Sequence, residues 1–232
     1  INDFTIGLRE LLSSDGVVTL EFPYIVPLIE NAQFDTIYHE HFSYHSLHSV
    51  MSIFSRAGLK IWDVEEIPQH GGSLRIYGSK KESSKRIETD RLRDLISKEI
   101  EIGVLTKSYY ANFQEKCDFI KIKFLDFLIK QKVLGKSIGA YGAAAKGNTL
   151  LNFSGVDKSL IPFVCDAAPS KQGKFLPGSH IPIIKSSNLT NYKLDFLIIF
   201  PWNIASEIKE SIRPLLSKDT KIVTFIPELI IQ

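Results

Sequence analysis

"KSIGAYGAAAKGNTLLNFSGV", residues 136–156, reads as a strand, a glycine-rich turn and a helix in direct succession. The apolar run around Ile138–Tyr141 has strand character. The small residues 142–147 form a turn, and Leu150, Leu151 and Phe153 continue at helical spacing. Three further apolar runs follow: "LIPFVCD" (160–166), "KLDFLIIFPWN" (193–203) and "KIVTFIPEL" (221–229). A helical stretch, "IASEIKESIRPLL" (204–216), separates the last two. Strands alternating with helices predict a parallel, doubly wound α/β sheet.

Upstream the pattern differs. Residues 5–14 read as a helix closed by "SSDG", and "VVTLEFPY" (17–24) as a strand. A long connection, 25–46, leads into the helical pattern "LHSVMSIFSRAGL" (47–59). "KIWDVEEIP" and "GSLRIYGSK" are predicted as antiparallel strands joined through "QHGG". This order suggests the later part of a larger α/β sheet. Residues 81–103 carry charges of both signs and read as a solvated connecting helix. "KSYYANFQEKCDFIKIKFLDFLIKQ" (107–131) is an amphipathic helix whose aromatic stripe fits a core.

Composition narrows the function classes. With 44% hydrophobic residues in 232, a packed core is expected. Net charge is +2, from 28 basic and 26 acidic residues, too weak a field for a nucleic-acid ligand. Cys117 and Cys165 lie far apart, so no disulfide framework or Cys-x-x-Cys motif is expected, and a cytoplasmic setting fits. No apolar run reaches the length of a membrane span, and the sequence does not open on a signal peptide.

Three stretches bear chemistry. "GAAAKGNT" (142–149) offers backbone N–H groups and a helix N-terminus to an anion. It differs from a phosphate loop because Lys146 precedes the glycine and Asn148 stands where the lysine belongs, so phosphate binding without hydrolysis fits better. "DAAPSKQGKFLPGSHIPI" (166–183) begins at the carboxyl end of a strand, where ligands of open α/β sheets collect, and supplies Lys171. "YHEHFSYHSLH" (38–48) holds four of the six histidines. On spacing alone it allows a metal site, an acid/base centre or a structural cluster. The zinc-peptidase pattern H-E-x-x-H is not there.

"FDTIYHEHFSYHSL", "GLKIWDVEEIPQHGGSLRIYGSK", "YGAAAKGNTLLNFSGV" and "DAAPSKQGKFLPGSHIPI", taken in order, resemble the S-adenosylmethionine-dependent sugar C-methyltransferases acting on nucleotide-linked keto-deoxysugars. The resemblance implies the back half of a class I methyltransferase Rossmann-like sheet followed by a complete C-terminal Rossmann-like α/β domain. The expected division is 1–83 for the end of the methyltransferase domain, 84–103 for a helical connector and 104–232 for a nucleotide-sugar-binding domain. The family's cysteine-rich zinc domain and its glycine-rich cofactor loop have no counterpart here. Zinc is therefore expected only outside this stretch, S-adenosylmethionine is expected mostly outside it, and the chain alone is expected to be inactive.

The resemblance also implies site residues. His41 matches the family's base, with Tyr38 and Glu40 as neighbouring polar groups of the active site. Lys146, Asn148 and Lys171 are expected at the phosphates of a thymidine-linked sugar, and His70 and Arg75 near the sugar. No metal is required at the reacting carbon. The alternatives are a nucleotide-sugar-binding module without catalysis and a metal-dependent hydrolase using the histidines.

Overall fold

The computed structural model describes residues 1–232, which divide into two compact units. The first comprises Ile1–Glu30 and Ser43–Phe113, the second Asn31–Phe42 and Gln114–Gln232. No helix is long and apolar enough to cross a membrane.

The first unit contains α1 (Asn2–Leu11), β1 (Val18–Pro23), α2 (Ile25–Glu30), α3 (Leu47–Arg56), β2 (Leu59–Ile67), β3 (Ser73–Lys80), α4 (Asp90–Glu101) and α5 (Lys107–Tyr110). The strands form an antiparallel sheet in the order β1-β3-β2. The hairpin read from "QHGG" is present, its 3-10 turn at Gln69–Gly71 placing His70 in a left-handed conformation. Leu74 and Ile76 of central β3 are fully buried, together with Leu47 and Phe54 of α3.

Helix α4 corrects the expectation of a solvated connector. Leu92 and Leu95 enter the same core, and α4 packs on β2 and α3. The charges of this stretch occupy the wet face, while an i, i+3 apolar pair defines the dry one. The units accordingly part at Phe113, with α4 inside the first.

The second unit contains α6 (Phe113–Val133), β4 (Ile138–Tyr141), α7 (Ala145–Ser154), β5 (Val164–Asp166), β6 (Ile183–Lys185), β7 (Phe196–Ile199), α8 (Ala205–Ile212), β8 (Lys221–Thr224) and β9 (Ile230–Ile231). Its sheet runs β6-β5-β4-β7-β8-β9, parallel except for β9. Numbered within the unit, that is the 3-2-1-4-5-6 order of a Rossmann-like sheet, with the switch point between β4 and β7. Every residue of β4 is buried, as expected for a strand covered on both faces. Period-2 alternation divides β7: Leu197 and Ile199 pack with Ile208 and Ile212 of α8, whereas Phe196 meets Phe127 of α6. Phe124 and Phe127 also contact Phe225, so the aromatic stripe of α6 is core.

Candidate active-site turn and phosphate loop

Residues 33–41 form successive tight turns. Thr36 Oγ1 donates to the Gln33 carbonyl at 2.7 Å, and Ile37 N–H donates to that of Phe34 at 2.9 Å. His41 N–H donates to the Tyr38 carbonyl at 3.0 Å. A three-residue spacing in such a turn puts its first and last side chains on one side. The Tyr38 and His41 rings accordingly lie 4.7 Å apart, tilted by 36°, and both are half-buried. His39 and Glu40 occupy the outer corners and are exposed. The structure thus pairs Tyr38 with His41 and sets Glu40 apart from them.

Beneath this turn lies Asp35, only 1% exposed. Its Oδ2 accepts the Trp202 indole N–H at 2.7 Å. Burial pushes the Asp35 carboxyl up to about 6, against the opposing pull of Lys146, the indole bond and the nearby backbone amides. Lys146, in the first turn of α7, is also buried; its Nζ lies 5.1 Å from the centroid of the Trp202 ring. Burial lowers the Lys146 pKa, and the Asp35 carboxylate works against that shift. Asp35, Lys146 and Trp202 line one small cavity beside Phe200. Phe34 packs on Phe153 of α7 with ring centroids 5.0 Å apart, seating the 3-10 turn on that helix.

The loop from β4 into α7 reads Gly142-x-Ala144-x-x-Gly147. Gly142 has φ 96°, and a Cβ there would collide with Pro201. A Cβ at Gly147 would fall 2.6 Å from Phe200. These are the first and third glycines of a dinucleotide fingerprint, one for the turn and one for helix–strand packing. The middle position, where a pyrophosphate would press on the backbone, is Ala144. It is also the N-cap and makes no side-chain capping bond.

Asp166, at the end of β5, occupies the place of the fingerprint's ribose-binding acid. Its Oδ2 accepts Ala143 N–H at 2.8 Å and lies 3.5 Å from Lys171 Nζ. Its Oδ1 accepts Ala168 N–H at 2.8 Å. Lys171 is therefore drawn to the phosphate-type loop through Asp166, whereas Lys146 sits on the Trp202 side. Asn148 lies in the first turn of α7, half-buried.

The other expected residues belong to the first unit. Arg75 Nη2 donates to Glu21 at 3.0 Å, and Nη1 lies 3.6 Å from Glu65, a cross-strand ion network. His70 is exposed in the hairpin turn. Ser46 caps α3 through a reciprocal box with Ser49. His48 Nδ1 lies 2.6 Å from Glu99, which also accepts the N–H groups of Leu47 and His48. His45 stacks edge-on against Phe22 at 5.8 Å, and burial lowers its pKa.

The four clustered histidines are thus shared between a turn and a helix start, and no group of three or more His, Cys, Asp or Glu side chains could hold a metal ion. Asp35, Trp202 and Asp166 were not singled out in the sequence. The fingerprint spacing was readable at 142–147 once alanine is admitted at its middle position.

Comparison with known proteins gives two matches. Residues 68–227 match the family model described as the C-methyltransferase C-terminal domain. The chain is also similar to the C-methyltransferase NovU of Streptomyces niveus, with 32% identity over 228 residues, 98% of this chain and 54% of the relative. The chain therefore spans about half the length of the curated relative it matches.

Proposed function

The chain belongs to the C-methyltransferase family, and from that premise we propose that it carries the substrate-activating part of an enzyme that methylates a carbon beside the keto group of a nucleotide-linked deoxysugar. The observation that carries this reading is the Tyr38–His41 pair, a half-buried imidazole packed on a phenol ring at a tight turn. Neither alternative reading is favoured, since the histidines do not converge on a metal-type cluster and the relatives are methyltransferases.

The chemistry assigned to this chain is enolisation. A proton on carbon next to a ketone is acidic because the resulting charge spreads onto oxygen. His41, neutral in its working state, takes that proton as general base. The Tyr38 hydroxyl, carried by the ring beside His41, is assigned as a donor to the developing enolate oxygen. Glu40, at the exposed corner of the turn, is left without a role in proton transfer.

The diphosphate is assigned to the start of α7, a ten-residue helix whose first-turn amides have no side-chain cap. Asn148 and Lys171 flank that start, and Lys146 adds positive field from its buried side. Thymidine diphosphate is the nucleotide we assign. Arg75, engaged by two glutamates, is given no substrate contact, and neither is His70.

S-adenosylmethionine is the methyl donor the family implies, but these residues do not fit it. The acid that would take the donor's ribose at the one glycine-rich strand–helix turn, Asp166, is already bonded to the chain's own amides. We place donor binding outside these 232 residues. The unit of residues 114–232 with the excursion 31–42 is read as the nucleotide-sugar domain, and the other residues before 68, outside the match to the C-terminal domain, as the end of the methyltransferase domain.

The test is hydrogen exchange at the reacting carbon. The full-length enzyme, given a thymidine-diphosphate keto-sugar in deuterated water without methyl donor, should wash deuterium into the carbon beside the ketone. His41→Gln should abolish this while thymidine diphosphate still binds by calorimetry. Wash-in that survives the substitution would sink His41 as the base.

A further inference from the structure

The Tyr38–His41 turn lies outside any regular helix or strand, and the chain enters it from the buried segment 33–36. Only Asp35, among the charged residues of 31–42, is fully buried. Burying a carboxylate is costly unless a partner compensates. The partner here is remote in sequence: the Trp202 indole, 167 residues away, donates to Oδ2 at 2.7 Å. Trp202 opens the segment that leaves β7, at the switch point of the sheet. The Lys146 ammonium over the indole face favours that ring placement. From Asp35 the chain runs through two consecutive turns: the bonds Thr36 to Gln33 and Ile37 to Phe34 interlock over 33–37, and the bond His41 to Tyr38 closes the turn 38–41 that follows directly.

We infer that the Asp35–Trp202 hydrogen bond is a latch that positions the His41 base on the Rossmann-like sheet. Asp35 and Trp202 are positioning residues: they act through the turn and are not assigned to substrate. The role of the latch in turnover rests on the reading of His41 as base; the latch itself does not. A bond serving only global stability would leave the turn no more sensitive to its loss than the sheet.

Trp202→Phe tests this, because it keeps an aromatic ring beneath Lys146 and removes only the donor. Deuterium exchange of the backbone in peptide 33–42 should accelerate by about ten-fold or more, while peptides of β4 and β7 keep their protection. In the full-length enzyme, kcat should fall ~10- to 100-fold, since a small misplacement of a reacting group is enough for that loss, and KM for the nucleotide sugar should stay within about two-fold. Asp35→Asn retains an acceptor for the indole and should keep most of the activity, whereas Asp35→Ala should match Trp202→Phe. That pair gives the same comparison should Trp202→Phe fail to accumulate folded.

Unchanged exchange in peptide 33–42 overturns the latch. Faster exchange there with wild-type kcat overturns its role in placing the base. Survival of wash-in in His41→Gln removes the base assignment alone and leaves the exchange result standing.

Discussion

Glu99 and Asp35 are both buried carboxylates, one under His45–His48 in the first unit and the other under Tyr38–His41 in the second. Glu99 accepts two backbone N–H groups and faces the His48 ring, so its lone pairs are well used and α3 gains an anion at its N-terminus. Asp35 has one strong side-chain donor, and its Oδ1 is buried without a hydrogen bond of good geometry. Burial holds it up at about 6. A well-satisfied buried acid reads as a device for stability. An acid kept buried at a cost, three residues from a Tyr–His pair, reads as support for a site. On the proposed reading, one histidine-rich stretch contains a structural half, His45–His48, and a chemical half, Tyr38–His41.

The sharpest break of this comparison is a swap of expectations between the two halves. In the full-length enzyme, His41→Gln should lower methyl transfer by roughly 10²- to 10⁴-fold, and His48→Gln by no more than about three-fold. Equal losses in a steady-state assay would erase the distinction. Next in size is Glu99→Ala, which strips two buried backbone donors and His48 of their acceptor. It should cost about 3 kcal/mol, read as a shifted urea midpoint.

Asp35→Asn should act in the opposite direction. The Asp35 carboxyl titrates at about 6 in the folded chain against an ordinary 3.8, so the folded state holds the extra proton between those values. Stability from this group is therefore present at low pH and lost as pH rises through about 6. The Asn variant should match the parent's melting temperature near pH 4 and exceed it above pH 7. A lower melting temperature above pH 7 would show that the ionised acid is stabilising. The smallest effect belongs to Ser46→Ala, which removes half of the capping box at a cost of about 1 kcal/mol.

Much of this architecture was legible in the sequence because local patterns carried it. The change of period across residues 136–156 marked β4, its turn and α7, and "QHGG" between two apolar runs marked the β2–β3 hairpin. Helix α4 was legible as a helix, but its burial was hidden by charges that outnumber Leu92 and Leu95. For the site, the motif pointed to His41 and Tyr38, and the turn then separated them from Glu40. Asp35 gave no sign of burial, since its donor lies far along the chain and one-dimensional patterns carry no information at that range. Lys146 was expected at the phosphates; its place over an indole needed three dimensions.

The 167-residue span between Asp35 and Trp202 has a consequence for the order of events at the ribosome. At roughly 5–20 residues per second, the indole emerges on the order of ten seconds or more after the carboxylate it will bind. Throughout that interval the nascent chain carries every residue of the Tyr38–His41 turn, and none of them has its anchor. Competence of the turn therefore waits on the emergence of Trp202, and a chain released before it would hold the motif without the means to place it.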